Sequence, residues 1–266
     1  MRKLTNAKAF AAVRVGVGLY TIFFYLQILS SPANLFVDQN LEFFKSPLPL
    51  PSLFGAHANW MQTLAVLGLI GGSLLTLGIA RRIVSPLLLV ALILTLGQNW
   101  LLHEVHNDYY GWTLLLFTFV AAGEPWSIFP RANSSWSLPN EFYFAILICF
   151  GGSYSLSGLT KLLTPEWNSG LMLRAYHHIG FENLSGMRPS PMMTWAGAWI
   201  IGVSELLALP LVCLSSTRLW IWLWLTLGQV TLAITGNLQH ISIFMIVFHL
   251  LLWQPEWLPM KRGVHG

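Results

Sequence analysis

Apolar residues run along this chain in long blocks, and polar residues are confined to the gaps between them. About 20 apolar positions suffice to cross the hydrocarbon of a bilayer as a helix. Read that way, the pattern predicts helices over 8–30, 59–80, 83–102, 109–123, 141–163, 192–214, 219–235 and 238–254. The fourth block is short, and the gaps at Arg81-Arg82 and Arg218 leave room only for tight hairpins. The expected fold is all-α: a polytopic integral membrane helix bundle of about eight transmembrane helices. One domain is expected over 1–266, with 164–191 as an interfacial extracytoplasmic segment within it. The first block has no convincing small-residue cleavage site and reads as a retained span. No internal repeat is evident.

Composition sharpens this picture. The chain is 55% hydrophobic and only 9% charged, which excludes an ordinary soluble domain. The net charge of +4 comes from loops and gives no nucleic-acid surface. With the N-terminus on one side, that side receives Arg2, Lys3, Lys8, Arg81, Arg82, Arg131, Arg218, Lys261 and Arg262, and the other receives only Lys45, Arg174 and Arg188. Basic loops stay in the cytoplasm. Both termini are therefore expected there, in what reads as a bacterial plasma membrane. Cys149 and Cys213 fall inside apolar blocks and read as small packing residues, not a disulfide.

The same topology collects the chemistry-bearing residues on the outer side. They are the loop His103–Gly111, Lys161 at the end of its block, the connection 164–191 with Trp167, Arg174, His177 and His178, and the turn containing Asn237 and His240. Lys161 carries the most information. A cation near hydrocarbon costs about 2.5–3.5 kcal/mol on insertion scales, so it faces a polar cavity or snorkels to the surface as an anchor. An amine held away from water becomes more available as a base.

Trp167, Leu171, Leu173, Tyr176 and Phe181 fit one helix lying at the interface, or a plain aromatic belt. Glu205 stands mid-block and needs a proton or a partner, with Lys161, a histidine or Arg14 all in view; a hydrogen bond between helices is the structural alternative. His249 reads as a satisfied bundle histidine. His103 and His106 are three apart and share a face if helical. A metal reading would add His177, His178 and His240, but no recognised metal box occurs and no metal is assigned. Nucleophile-elbow, phosphate-loop and dinucleotide motifs are absent from the sequence.

Two stretches resemble a known family. GLTKLLTPEWNSGLMLRAYHHIGF (158–181) and HNDYYGWTLLLFTFVAAGEPW (106–126) are similar to the lysine motif and the histidine loop of vitamin K-dependent gamma-carboxylases and of their bacterial relatives, the horizontally transferred transmembrane (HTTM) domain proteins. Arg14 in the first span, Glu205 in a later one and a polar turn before the last span extend the resemblance over most of the chain.

The resemblance implies that Lys161 is the base that deprotonates a reduced, vitamin K-like quinone, with His106 beside the oxygenated intermediate. O2 and CO2 would be the co-substrates, and a secreted peptide a possible partner. The carboxylases carry a large extracytoplasmic peptide-binding domain, whereas this sequence ends shortly after its last block. The expectation therefore centres on lipid chemistry in the membrane core, with membrane lipid and a lipophilic small molecule as partners.

An isoprenoid (terpene) cyclase on the same scaffold is the first alternative. It would use Asp108 and Glu205 as acids and Tyr109, Tyr110, Trp100, Trp112, Tyr154 and Trp167 as cation-stabilising walls. A diphosphate substrate would find only Arg174 and Arg188 besides Lys161 on that side. A non-catalytic maturation or immunity partner of a secreted peptide is the second alternative.

Overall fold

The structure is a computed structural model that describes residues 7–30, 58–98, 105–128, 136–176, 189–235, 239–254 and 257. All regular structure among the described residues is helical. Among the described residues three helices are long and apolar enough to cross a membrane: Ala7–Ser30, Trp60–Leu77 and Asn140–Leu163. The chain forms two compact units, one of Asn6–Pro139 and one that contains Asn140–Gly266.

In the first unit the helices are α1 (Ala7–Ser30), α2 (Ala58–Leu77), α3 (Arg81–Gln98) and α4 (Val105–Phe119). Helix α1 packs along α2 where Gly18 meets Thr76 and the carbonyl of Gly72; a Cβ on Gly18 would lie 2.6 Å from the Thr76 backbone nitrogen. Lacking a side chain there, the two backbones approach closely, which is how helices gain contact where burial from water offers no drive.

The charged residues inside this unit finish helix ends. The last turn of a helix leaves its carbonyls without donors, and in apolar surroundings no water supplies them. Arg14 donates to the carbonyls of Leu75 (2.6 Å) and Thr76 (2.7 Å) at the end of α2, and to that of Trp126 (2.8 Å). Arg81 donates to the carbonyl of Phe117 in the last turn of α4 and to those of Val120 (3.1 Å) and Ala121 (2.8 Å) just beyond it. Glu124 lies between the two guanidiniums, 2.8 Å from Arg81 Nε and 3.4 Å from Arg14 Nε, with all three side chains shut away from solvent.

The second unit contains α5 (Asn140–Leu163), the short α6 (Pro165–Asn168) and α7 (Leu171–Tyr176), then α8 (Pro191–Leu206), α9 (Ala208–Cys213), α10 (Arg218–Thr235) and α11 (Gln239–His249), which tightens into a 3-10 turn over Leu250–Leu252. Arg218 repeats the capping device, donating to the carbonyls of Val212 (2.6 Å) and Cys213 (3.3 Å) at the end of α9.

The two units follow one plan, although the sequence shows no repeat. Ala7 and Asn140 open helices of 24 residues, and Arg81 and Arg218 open helices of 18 residues. The interval is 133 residues from Ala7 to Asn140 and again from Ala58 to Pro191. Contacts obey the same interval: Gly18 meets Thr76 in one unit, and Gly151 meets Leu209 in the other. Thr21 bonds Tyr110 of α4 (2.7 Å), and Tyr154, 133 positions after Thr21, bonds His249 of α11 (3.0 Å), although the partners Tyr110 and His249 are 139 apart. Apolar helices tolerate wide sequence drift at constant spacing, so the plan persists where sequence likeness is lost.

Several expectations change in detail. The block 192–214 is interrupted at Leu207, because Pro210 has no N–H to give and its ring displaces the carbonyl four residues earlier, that of Leu206. The helix expected over 109–123 starts earlier: 105–108, read as loop, already belongs to α4, with Asp108 in the first turn where a carboxylate suits the helix dipole. The single interfacial helix expected after Lys161 is two short ones, separated by a turn in which Gly170 takes φ +75°. Cys149 and Cys213 are exposed free thiols, not packing residues; the buried face of α5 passes through Ile146, Leu147 and Phe150 and leaves Cys149 outside.

Candidate functional site

Helix α5 buries Phe150, Tyr154 and Gly158 along one face, and Lys161 continues that row at the last turn. Gly158 is the crossing point with α8. A Cβ there would clash with the Leu206 backbone nitrogen and come within 2.6 Å of the Gly202 carbonyl. This approach sets Lys161 opposite Glu205. The Lys161 Nζ donates to both Glu205 carboxylate oxygens at 2.5 Å. The indole of Trp167 stands beside the ammonium, its ring centroid 5.1 Å from Nζ. The pair is sheltered but not sealed, with the lysine side chain 24% and the glutamate side chain 11% exposed.

Neighbouring groups hold these three residues in place. Asn168 donates from Nδ2 to the Leu162 carbonyl (2.5 Å), tying α6, and Trp167 with it, to the end of α5. Ser155 mends the break that follows Glu205: its hydroxyl donates to the Leu206 carbonyl (2.8 Å) and accepts from the Leu209 N–H (3.0 Å). Both are groups that Pro210 and the interrupted helix leave open.

A second polar cluster lies two turns back along α5. Thr226 donates to the Trp222 carbonyl (2.7 Å), so its oxygen accepts from His249 Nδ1 at 2.8 Å. That fixes the tautomer: His249 Nε2 carries a lone pair and accepts from the Tyr154 hydroxyl at 3.0 Å. Gln229 donates to the same hydroxyl oxygen at 2.9 Å. His249 is fully buried, as a satisfied bundle histidine should be.

The remaining candidates distribute as follows. Lys161, Glu205 and Trp167 come together, and Tyr154 joins His249 in the second cluster. Asp108, Tyr109, Tyr110 and Trp112 all belong to α4 of the first unit. There Tyr110 is buried against Thr21, while Asp108 and Trp112 are exposed. His106 is the second residue of α4 and His240 the second of α11, but their side chains lie outside the described residues. Outside the described residues altogether are Trp100, His103, His177, His178, Arg188 and Asn237. Arg14, considered as a partner for Glu205, instead meets Glu124. Among the described residues no three His, Cys, Asp or Glu side chains converge to hold a metal ion.

Sequence reading missed Ser155, Gly202, Thr226 and Gln229, and it noted Gly158 only as the first residue of the lysine motif. Of the four, Gln229 left a visible signal, an amide in the middle of an apolar block.

Chemically, an ammonium and a carboxylate stand in direct contact beside an indole face, a charged donor and acceptor within reach of a substrate hydroxyl. Comparison of the chain with protein-family models, with curated proteins and with solved structures returns no match.

Proposed function

We propose that this chain is a membrane enzyme acting on a lipophilic isoprenoid or quinone-type substrate, with the Lys161–Glu205 couple as its proton-transfer centre. One observation carries the reading. At the interval that superposes the helix plans of the two units, Lys161 corresponds to Ile28 and Glu205 to Gly72. The first unit makes the equivalent crossing without either charge, so the fold does not require the pair. An ion pair that costs desolvation and that the architecture can do without points to function.

In this proposal the proton moves within the couple. Lys161 passes a proton to Glu205 across 2.5 Å and becomes a neutral amine. The amine then takes the proton of a substrate hydroxyl, and the carboxyl stores the first one. Trp167 offers an aromatic face for a ring or a prenyl chain to lie against. The likeness of 158–181 to the gamma-carboxylase lysine motif makes a reduced quinone the favoured substrate, with O2 as oxidant and CO2 as a co-substrate if carboxylation is coupled.

Eight spans, with cytoplasmic termini and the couple on the outer side, are part of this reading. Shorter helices support it by turning apolar rows outward: Ile83, Leu87 and Val90 on α3, and Trp220, Leu223 and Leu227 on α10.

The test is oxygen consumption by the purified protein in lipid nanodiscs supplied with a reduced naphthoquinone. Turnover is expected in the parent and absent in Lys161→Ala and Glu205→Gln, with unchanged helical content. Equal turnover in the parent and Lys161→Ala overturns the proposal. Turnover of a linear terpene without oxygen moves the assignment to the cyclase.

A further inference from the structure

The hairpin between α2 and α3 opens a cleft of about 200 Å³, lined by Gly78, Arg81, Arg82, Glu124 and Ser127 among others. We propose that this cleft binds a phosphate-bearing anion, the headgroup of an anionic phospholipid.

Charge is the first ground. Arg81, Arg82 and the single carboxylate of Glu124 line the cleft, and Arg14 stands 3.4 Å from that carboxylate, which leaves two positive charges without a counter-ion among these four residues. Glu124 is itself saturated: it accepts from Arg81 at 2.8 and 3.2 Å and from the Gly123 N–H at 3.2 Å. It therefore repels an incoming anion weakly. Arg81 is equally committed, every guanidinium nitrogen being engaged with Glu124 or a carbonyl.

Arg82 differs. It is exposed, and its Nε makes one long bond to the Thr118 carbonyl at 3.4 Å. That leaves both Nη groups as a fork, the geometry that matches two phosphate oxygens.

The comparison between units is the second ground. Arg218 opens α10 as Arg81 opens α3, but the next residue is Leu219 where the first unit has Arg82. A hairpin of this plan forms without the second arginine, so Arg82 serves something other than the turn. The site rests on the membrane reading and is independent of the Lys161–Glu205 chemistry. On that reading the hairpin belongs to the basic, cytoplasmic side, at headgroup depth, where basic pockets between helices take anionic lipids.

The experiment uses the full chain, purified and depleted of lipid. Phosphatidylglycerol or phosphatidylcholine is added back, and retained lipid is read by native mass spectrometry. The parent should retain phosphatidylglycerol preferentially. Arg82→Gln should retain about fivefold less, the share of one basic residue near an anionic surface. Lys8→Gln, a control on an exposed basic residue, should retain it as the parent does. Millimolar inorganic phosphate that displaces the lipid from the parent and not from Arg82→Gln supports a site that reads the phosphate alone; failure to displace it supports recognition of the headgroup with its lipid. Equal retention by the parent and Arg82→Gln overturns the site. An equal loss in Lys8→Gln and Arg82→Gln also overturns it, because the attraction would then belong to the surface as a whole.

Discussion

Glu205 in the second unit occupies the position that Gly72 occupies in the first, 133 residues earlier in the chain. Both residues stand on the helix packed against the unit's opening helix; at this interval Gly158 answers to Tyr25, whose ring lies against Gly68. In the first unit the position is filled by backbone contact. In the second it holds a carboxylate bonded to Lys161 at 2.5 Å. One architecture thus supports both an uncharged and a charged version of the same helix pair.

The stability of single and double variants follows from this. Lys161→Met alone leaves a sheltered carboxylate without its cation and is expected to destabilise by about 1–3 kcal/mol. Glu205→Gln alone should cost a similar amount. The double variant Lys161→Met/Glu205→Gln should recover most of the loss, because apolar and small residues fill these positions in the first unit. Thermal unfolding of the four proteins in one detergent measures this. A double variant as unstable as the sum of the singles would make the pair a structural requirement.

Ser155 and Pro210 should be coupled although their side chains do different work. Ser155→Ala strands the Leu206 carbonyl and the Leu209 N–H, a cost of about 1–3 kcal/mol. Pro210→Ala restores an N–H that can reach the Leu206 carbonyl within the helix. The Ser155 substitution should therefore cost measurably less in the Pro210→Ala background, by about 0.5 kcal/mol or more. Additive losses in a four-protein cycle would show that Ser155 does not mend the proline break.

Much of the fold was legible in the sequence, and the reasons differ by element. Long apolar blocks marked the long helices among the described residues, because an apolar segment that is shut away from water satisfies its backbone internally by coiling. Pro210 was in plain view as the cause of the break at Leu207, yet length alone favoured an unbroken span. Lys161 was singled out for its setting, and Glu205 was given three candidate partners without a choice among them. Only the tertiary crossing at Gly158 decides between Lys161 and Arg14. Glu124 escaped notice because Ala-Ala-Gly-Glu-Pro reads as a loop with a solvated carboxylate. Its burial between Arg14 and Arg81 depends on chain segments over forty residues away from it. The repeated plan was invisible because it resides in spacing, not in residue identity.

The histidine cluster makes a spectroscopic prediction. With Thr226 accepting from Nδ1 and Tyr154 donating to Nε2, His249 is neutral and protonated on Nδ1. Nitrogen-15 shifts of His249 in the labelled protein should show a protonated Nδ1 and a hydrogen-bonded, unprotonated Nε2. Tyr154→Phe removes the donor and should move the Nε2 resonance downfield, toward the position of a free imine nitrogen, while Nδ1 stays protonated. An Nε2-protonated ring in the parent would reverse the assignment of donors through the whole cluster.

Glycine substitutions test the link from packing to the site. At Gly158 an added Cβ meets the backbone of α8, at the Leu206 nitrogen and the Gly202 carbonyl, and neither group can rotate away. Gly158→Ala is thus expected to push α8 from α5, with a cost of about 1–3 kcal/mol. It should also widen the Lys161–Glu205 contact, so that turnover falls more steeply than folded yield. Gly152 lies one face round the same helix, and a Cβ there meets nothing within 4 Å. Gly152→Ala should be neutral, or stabilising by up to about 1 kcal/mol, because alanine loses less freedom than glycine on entering a helix. The two variants differ by the same methyl group on the same helix, so a difference between them reports the crossing and not helix propensity. If Gly158→Ala keeps the parent's unfolding temperature and its turnover, the close approach of α5 and α8 is not what holds Lys161 against Glu205.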